Sequence, residues 1–163
     1  MNRRLHIALV ASQGGHSGQM KIIADEAALA GRYRIFITEK QDIKEIGKSE
    51  KKFKSSYPLY LFRKDYLKWY PWRYVSAFFH LCSIYRAEEI DVLITNGAQL
   101  SIPAVVAAKM LNIKVIFIET FIRVKSPTLT GRFCYFFSDI FLVQHPAIAR
   151  KYGSRAHWKG SVL

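Results

Sequence analysis

The apolar positions of this chain fall into short β-branched runs separated by stretches with helical spacing. Runs at residues 5–11, 34–38, 57–62, 91–95, 114–119 and 140–144 predict strands, with a final short one near Trp158. Between the first two, Met20, Ile22, Ile23, Ala27 and Leu29 recur at helical intervals, with Ser17 placed to cap that helix and Gly31 to stop it. Pro71 suits the first turn of a second helix reaching about Arg86, and Pro103 begins a third that ends near Asn112. Further helices are expected between the remaining strands. Strands that alternate with helices predict an α/β fold, an open parallel sheet flanked by helices. Residues 40–56, rich in lysine and poor in large apolar side chains, read as a mobile basic connection.

Most predicted strands end in a polar or glycine-bearing turn. Gly14 and Gly15 follow the first, Asn96 and Gly97 the fourth, and residues 119–126 the fifth. In an open parallel sheet such turns gather at one edge, where ligands bind. The loop Ser12-Gln13-Gly14-Gly15-His16-Ser17-Gly18 lies between a buried strand and a helix start. Glycines let backbone N–H groups close on an anion, and the helix start adds about half a positive charge, so a phosphorylated or pyrophosphorylated ligand is expected. Each glycine also has a plain reading as part of its own tight turn.

Composition narrows the classes. The chain has 163 residues, which suits one domain, and 25 Lys and Arg against 12 Asp and Glu give a net charge of +13. Such a balance attracts lipid head groups, nucleic acid or a sugar nucleotide. Cys82 and Cys134 sit in apolar settings without ligand spacing and read as core residues of a reducing compartment. No Asp-x-Asp pair is present, so no metal is implied. No secretory signal is visible, and no run reaches the roughly 20 apolar residues of a membrane span.

Half of the residues are hydrophobic, and the aromatic ones, 14% of the chain, are concentrated in residues 66–86. Arg73, Ser76, His80 and Ser83 form a narrow polar stripe there, leaving a broad apolar face with Trp72, Phe79 and nearby Tyr74 and Phe78. Trp69, Tyr70, Trp72, Phe78 and Phe79, together with Arg73, are the candidate membrane contacts, because tryptophan and tyrosine favour the interface and cations favour anionic head groups. A helix buried between the sheet and a partner subunit is the other reading. Nucleic acid is excluded as a partner: no RNP pattern, KH loop, zinc spacing or helix-turn-helix is present. A dinucleotide fingerprint would need a glycine where Gln13 stands, although Glu39 is placed to act as its ribose-binding acid. A phosphate loop would need a following Gly-Lys-Ser/Thr, which is absent.

Gly14-Gly15-His16, Asn96-Gly97 with Pro103, the run Glu119-Thr120-Phe121-Ile122-Arg123-Val124-Lys125-Ser126 through Leu129-Thr130-Gly131, and Ser138 to Gln144 together resemble the acceptor-side, membrane-anchoring subunits of two-component UDP-sugar glycosyltransferases. That family includes a subunit of the dolichyl-pyrophosphate N-acetylglucosaminyltransferase in eukaryotes and relatives in bacterial capsule and exopolysaccharide pathways. The resemblance covers nearly the whole chain. It implies a Rossmann-like domain that forms one half of a GT-B glycosyltransferase, similar to the N-terminal domain of the peptidoglycan N-acetylglucosaminyltransferase.

In that family a small partner subunit binds the UDP-sugar, which is the donor substrate, and no further cofactor is implied. The present type of subunit would receive an undecaprenyl-pyrophosphate-linked sugar at an anionic membrane surface, peripherally on the cytoplasmic face. The resemblance implies that Gly14, Gly15 and Ser17 lie at the acceptor diphosphate, with Asn96, Gly97, Arg123 and Ser126 as further acceptor or phosphate contacts. His16 and Glu119 are the candidate catalytic residues. His16 alternatively only orders its loop, and Glu119 alternatively pairs with Arg123 or His16. Two departures stand out: Gln19 follows the Gly-Gly-His turn where many members carry an acid, and residues 1–4 leave no room for an N-terminal membrane helix. The chain is expected to hold no UDP-sugar domain of its own and to be inactive without its partner. The alternative function is a non-catalytic membrane scaffold that recruits and activates a glycosyltransferase.

Overall fold

The computed structural model describes residues 5–12, 14–25, 33–39, 55–59, 71–122 and 124–160. Strands β1 (His6–Val10), β2 (Tyr33–Glu39), β3 (Ser55–Leu59), β4 (Val92–Thr95), β5 (Lys114–Ile118), β6 (Ile140–Val143) and β7 (Ala156–Trp158) form one sheet among the described residues. Its order is β3-β2-β1-β4-β5-β6-β7, and every neighbouring pair is parallel. Helices α1 (Gly15–Asp25), α2 (Pro71–Ala87), α3 (Ser101–Met110), α4 (Leu129–Phe137) and α5 (Pro146–Tyr152) occupy the connections. The expected α/β class is what the structure shows, in the Rossmann-like form with helices on both faces.

Period-two alternation divides the strand side chains between two cores. Ile7 and Leu9 of β1 and Ala11 just past it join Phe36, Ile94 and Ile118 under Met20, Ile23 and Ala24 of α1. On the opposite face Ala8, Val10, Ile35, Ile37, Leu93, Val115, Phe117, Phe141 and Val143 meet α2 to α5. Buried on both sides, β1 and the strands beside it are continuous apolar runs, as a parallel sheet requires. The stacked rings of Phe117 and Phe141, 4.9 Å apart, anchor the second core. Its helices pack closely around α3, whose buried residues include Ala104, Ala107 and Ala108.

Several expected boundaries shift, each for a local reason. α1 begins at Gly15, so Ser17 lies inside the first turn; its hydroxyl donates to Gly14 O at 2.9 Å rather than capping from outside. The expected stop at Gly31 lies outside the described residues. α3 begins at Ser101 instead of Pro103, which still falls within the first turn, where a missing N–H leaves no helical bond unmade. β3 begins at Ser55, so the last two residues assigned to the basic connection pair with β2; residues 40–54 lie outside the described set. β3 is an edge strand, which is where Pro58 is tolerated.

α2 starts at Pro71 as expected, but its apolar residues divide. Ala77, Leu81, Cys82, Ile84 and Tyr85 are buried, Tyr74 and Phe78 pack partly against the same core, and Trp72, Val75 and Phe79 are exposed. The exposed residues share the outer surface with Ser76, His80 and Ser83, so the broad apolar face expected to hold Trp72, Phe79, Tyr74 and Phe78 together is two faces. Trp69 and Tyr70 lie outside the described residues. Among the described residues no helix is long and apolar enough to cross a membrane.

Burial separates two otherwise similar phenylalanines. Phe117→Ala is expected to cost about 3–5 kcal/mol of folding free energy, whereas Phe79→Ala, at an exposed position, should stay within about 0.5 kcal/mol, both read from urea unfolding midpoints.

Candidate functional site

A parallel sheet delivers all strand ends to one edge. From β1 the chain moves outward to β2 and β3, then returns to lay β4 on the other side of β1. The loops after β1 and β4 therefore diverge at the topological switch point, the place where open α/β sheets form a ligand crevice. Gly14, Gly15 and His16 follow β1 on one side of the switch point, and the buried Asn96 and Gly97 follow β4 on the other. Gly14 and Gly97 adopt φ of +78° and +98°, which favours glycine at each. An added Cβ would meet nothing within 4 Å at Gly14 or Gly15, so the first loop opens onto free space.

The two loops are clasped by reciprocal hydrogen bonds. His16 Nδ1 lies 2.9 Å from Asn96 O, and Asn96 Nδ2 donates to His16 O at 2.6 Å. A carbonyl only accepts, so Nδ1 carries the proton and the neutral ring keeps its lone pair on Nε2. The imidazole rests over Gly97, where an added Cβ would lie 3.5 Å from Cε1. Burial holds the His16 pKa below its usual 6.5, against the opposing influence of the Asn96 carbonyl and the Glu119 charge. Around the clasp, Ser12 Oγ, Gln19 Nε2, Thr38 Oγ1 and Asn96 Oδ1 are buried without a hydrogen-bond partner among the described residues. They lie at the ends of β1, β2 and β4 and on α1, so the sheet edge holds unspent polar capacity.

Glu119, just past β5, is 1% exposed. Its carboxylate accepts from Thr120 N at 2.9 Å and from the Thr128 hydroxyl at 3.1 Å, and the Tyr152 hydroxyl donates to Oε2. Thr128 in turn caps α4, accepting from Gly131 N at 2.8 Å. A Cβ at Gly131 would overlap both the Tyr152 hydroxyl and Glu119 Oε2, so the knot depends on a glycine there. Burial and the Glu119 charge push the Cys134 thiol up to about 12, which makes it inert, and Cys82 is likewise buried and free.

The structure thus brings His16, Asn96 and Gly97 together, with Glu119 within electrostatic reach. Ser17 is 5% exposed and committed to Gly14 O, while Ser126 is exposed on the β5–α4 loop. Arg123 lies outside the described residues. Sequence reasoning missed Thr128, Tyr152 and His145, and it took Gly131 only as part of the family run without a packing role. His145 Nε2 donates to Phe121 O at 2.8 Å, joining the loops after β5 and β6, where Gln144 also donates to Glu119 O at 3.0 Å. Thr128 three residues before Gly131, and His145 before Pro146, were legible as helix starts. Among the described residues no cluster of His, Cys, Asp or Glu could hold a metal ion.

The fold defines the class: one Rossmann-like half of a GT-B-type two-domain architecture. MurG of Acinetobacter baumannii superposes with a TM-score of 0.78 at 15% identity, over 94% of this chain and 45% of that one. The UDP-GlcNAc 2-epimerase of Neisseria meningitidis superposes at 0.70 and 13% identity, over 97% and 47%. The chain spans about half the length of each. A family match described as "Oligosaccharide biosynthesis protein Alg14 like" runs over residues 7–162, and the chain belongs to that family. It is similar to the mouse UDP-N-acetylglucosamine transferase subunit ALG14, 23% identical over 91% of this chain and 79% of that protein. The fission yeast alg14 is 47% identical over 51 residues, 31% of this chain and 24% of its own length. A Synechocystis UDP-N-acetylglucosamine–N-acetylmuramyl-(pentapeptide) pyrophosphoryl-undecaprenol N-acetylglucosamine transferase is 38% identical over 39% of this chain and 18% of its own.

Gly131→Ala should lower stability by about 1–3 kcal/mol through overpacking against Glu119 and Tyr152, read as a fall in thermal midpoint. Because the native His16 pKa is depressed, the unfolded chain takes up its proton first as pH falls below 6.5. Stability is therefore full above 6.5 and is lost as pH drops towards the native value. His16→Gln should flatten that acid loss in pH-dependent urea unfolding.

Proposed function

We propose that this chain is the acceptor-side subunit of a two-component glycosyltransferase, acting on an undecaprenyl-pyrophosphate-linked sugar while a smaller partner subunit holds the UDP-sugar. The family and its transferase-subunit relatives support the general activity. The observation that carries the reading is the His16 imidazole, fixed with Nε2 as its free basic nitrogen beside the open Gly14–Gly15 loop at the switch point.

In this reading the acceptor diphosphate lies against Gly14, Gly15 and the first turn of α1, where backbone N–H groups and the helix dipole favour an anion. His16 Nε2 takes the proton of the acceptor hydroxyl as that oxygen bonds the donor sugar's anomeric carbon. The bond from that carbon to the UDP oxygen breaks, and UDP leaves with the electron pair. A depressed pKa keeps His16 unprotonated near neutrality, as a general base requires. Glu119, buried and held by Thr120 N and the Thr128 and Tyr152 hydroxyls, sets the β5–α4 loop in this reading rather than moving a proton. Arg123 and Ser126 are further contacts for the acceptor in this reading.

The helices of a parallel fold run back from the carboxyl edge, so α2 begins at the same edge as the site. Its exposed Trp72, Val75 and Phe79, with the positive charge of the chain, suit an anionic membrane surface on the cytoplasmic face. Trp69, Tyr70 and Arg73 extend that contact, whereas Phe78 serves packing. A lipid-linked acceptor would then reach the crevice without leaving the bilayer surface. Capsule or exopolysaccharide assembly is the pathway class this chemistry fits.

The test is transfer from radiolabelled UDP-sugars to lipid-linked acceptors, using membranes with this chain, its partner, or both. Transfer is expected only with both, and His16→Gln should lower kcat by about 10²–10⁴-fold with the complex intact. Turnover that survives His16→Gln would instead favour a scaffold that activates a complete enzyme. Trp72→Ala combined with Phe79→Ala should weaken binding to anionic vesicles by about tenfold or more, with urea unfolding showing the protein still fully folded under the binding conditions.

A further inference from the structure

We infer that Asn96 is a positioning residue for His16, fixing the tautomer and the direction of the imidazole, and not a contact for sugar or phosphate. The inference rests on the reading of His16 as the proton acceptor. Asn96 is fully buried, and both its backbone and its side chain are turned towards α1. Its amide nitrogen serves His16 O at 2.6 Å and Gln19 Oε1 at 3.4 Å, which commits its donors to the protein. The amide orientation follows from chemistry, since His16 O is a backbone carbonyl that only accepts, and the Asn96 nitrogen must face it. Its Oδ1 is closed to solvent and has no partner among the described residues. A ligand bound at the switch point therefore finds neither a free donor nor an accessible acceptor on this side chain.

The same residue decides what His16 can do. The side-chain bond to His16 O holds the first turn of α1 at a fixed distance from the β4 loop, which lets Asn96 O receive Nδ1–H at 2.9 Å. Gly97, without a Cβ, leaves space for the ring above the loop. Leucine would fill the volume of Asn96 without the donor. Aspartate would set a second oxygen against His16 O and add a negative charge beside the ring. The charged group that acts on His16 among the described residues is Glu119, which favours the imidazolium, while burial opposes it more strongly. A ring released from the clasp would move into water and titrate nearer 6.5.

The test uses the complex of this chain with its partner, with histidine ring nitrogens labelled in ¹⁵N and the His16 signals assigned through His16→Gln. In the native complex the neutral ring should be protonated at Nδ1. Asn96→Ala should average the two tautomers, move the acid limb of the kcat profile up towards 6.5, and lower kcat about ten- to hundredfold, with acceptor KM unchanged. A native ring protonated at Nε2 would overturn the inference without any variant. So would an Asn96→Ala enzyme whose acceptor KM rises while kcat and the acid limb stay in place, because that is the behaviour of a ligand contact. Should Asn96→Ala fail to fold, Asn96→Ser carries the same expectations. Turnover that persists in His16→Gln would remove the general-base role alone, and the tautomer would still report on the clasp.

Discussion

Parallel strands impose one constraint from which the rest of this molecule follows: every connection must travel the length of the sheet before the next strand can begin. All strand exits then lie at a single edge, and all five described helices start there. Where the strand order turns back on itself, between β1 and β4, the exit loops of two adjacent strands lead to opposite sides, the place where open α/β sheets bind ligands. The chain ties those two loops together with two hydrogen bonds between His16 and Asn96. Chemistry located there inherits the rigidity of two central strands buried on both faces.

A second constraint acts one strand further along. A carboxylate closed off from water needs donors, and Glu119 draws them from its own loop, from the cap of α4 and from α5. Three segments distant in sequence are thereby tied to the end of β5. The knot has no spare volume, since Gly131 lies against two of its members. Its charge still reaches His16 and favours the protonated ring, while burial favours the neutral one. Burial outweighs the charge, and the His16 pKa lies below its usual 6.5.

The strands were legible because burial on two faces writes them as unbroken apolar runs; β1, β4, β5 and β6 begin or end within a residue of their expected limits. The glycine loop, the Asn-Gly turn and their meeting at one edge were legible for the same topological reason. What the sequence concealed depends on which atoms face one another. Asn96 reads as part of a polar turn and a candidate acceptor contact, and nothing in the sequence shows that folding buries it with its amide donating to His16 O. Glu119 read as an acid seeking a partner, and the partners it found, Thr128 and Tyr152, lie 9 and 33 residues away. In α2 the aromatic residues share one composition but not one fate, because the narrow polar stripe of Arg73, Ser76, His80 and Ser83 leaves an apolar arc too broad to tell core from surface.

α3 gives the molecule a mechanical property as well as a core. Its small residues let α2 and α4 pack closely on either side, and its first residue, Ser101, donates to Gly97 O at 2.5 Å while bonding Thr95 Oγ1 at 2.7 Å. The helix that carries Trp72 and Phe79 therefore leans on a strut whose tip supports the peptide beneath the His16 ring. The outer surface of α2 and the loop beneath the imidazole are thus joined through one ten-residue helix, and a substitution that displaced α3 would disturb both at once.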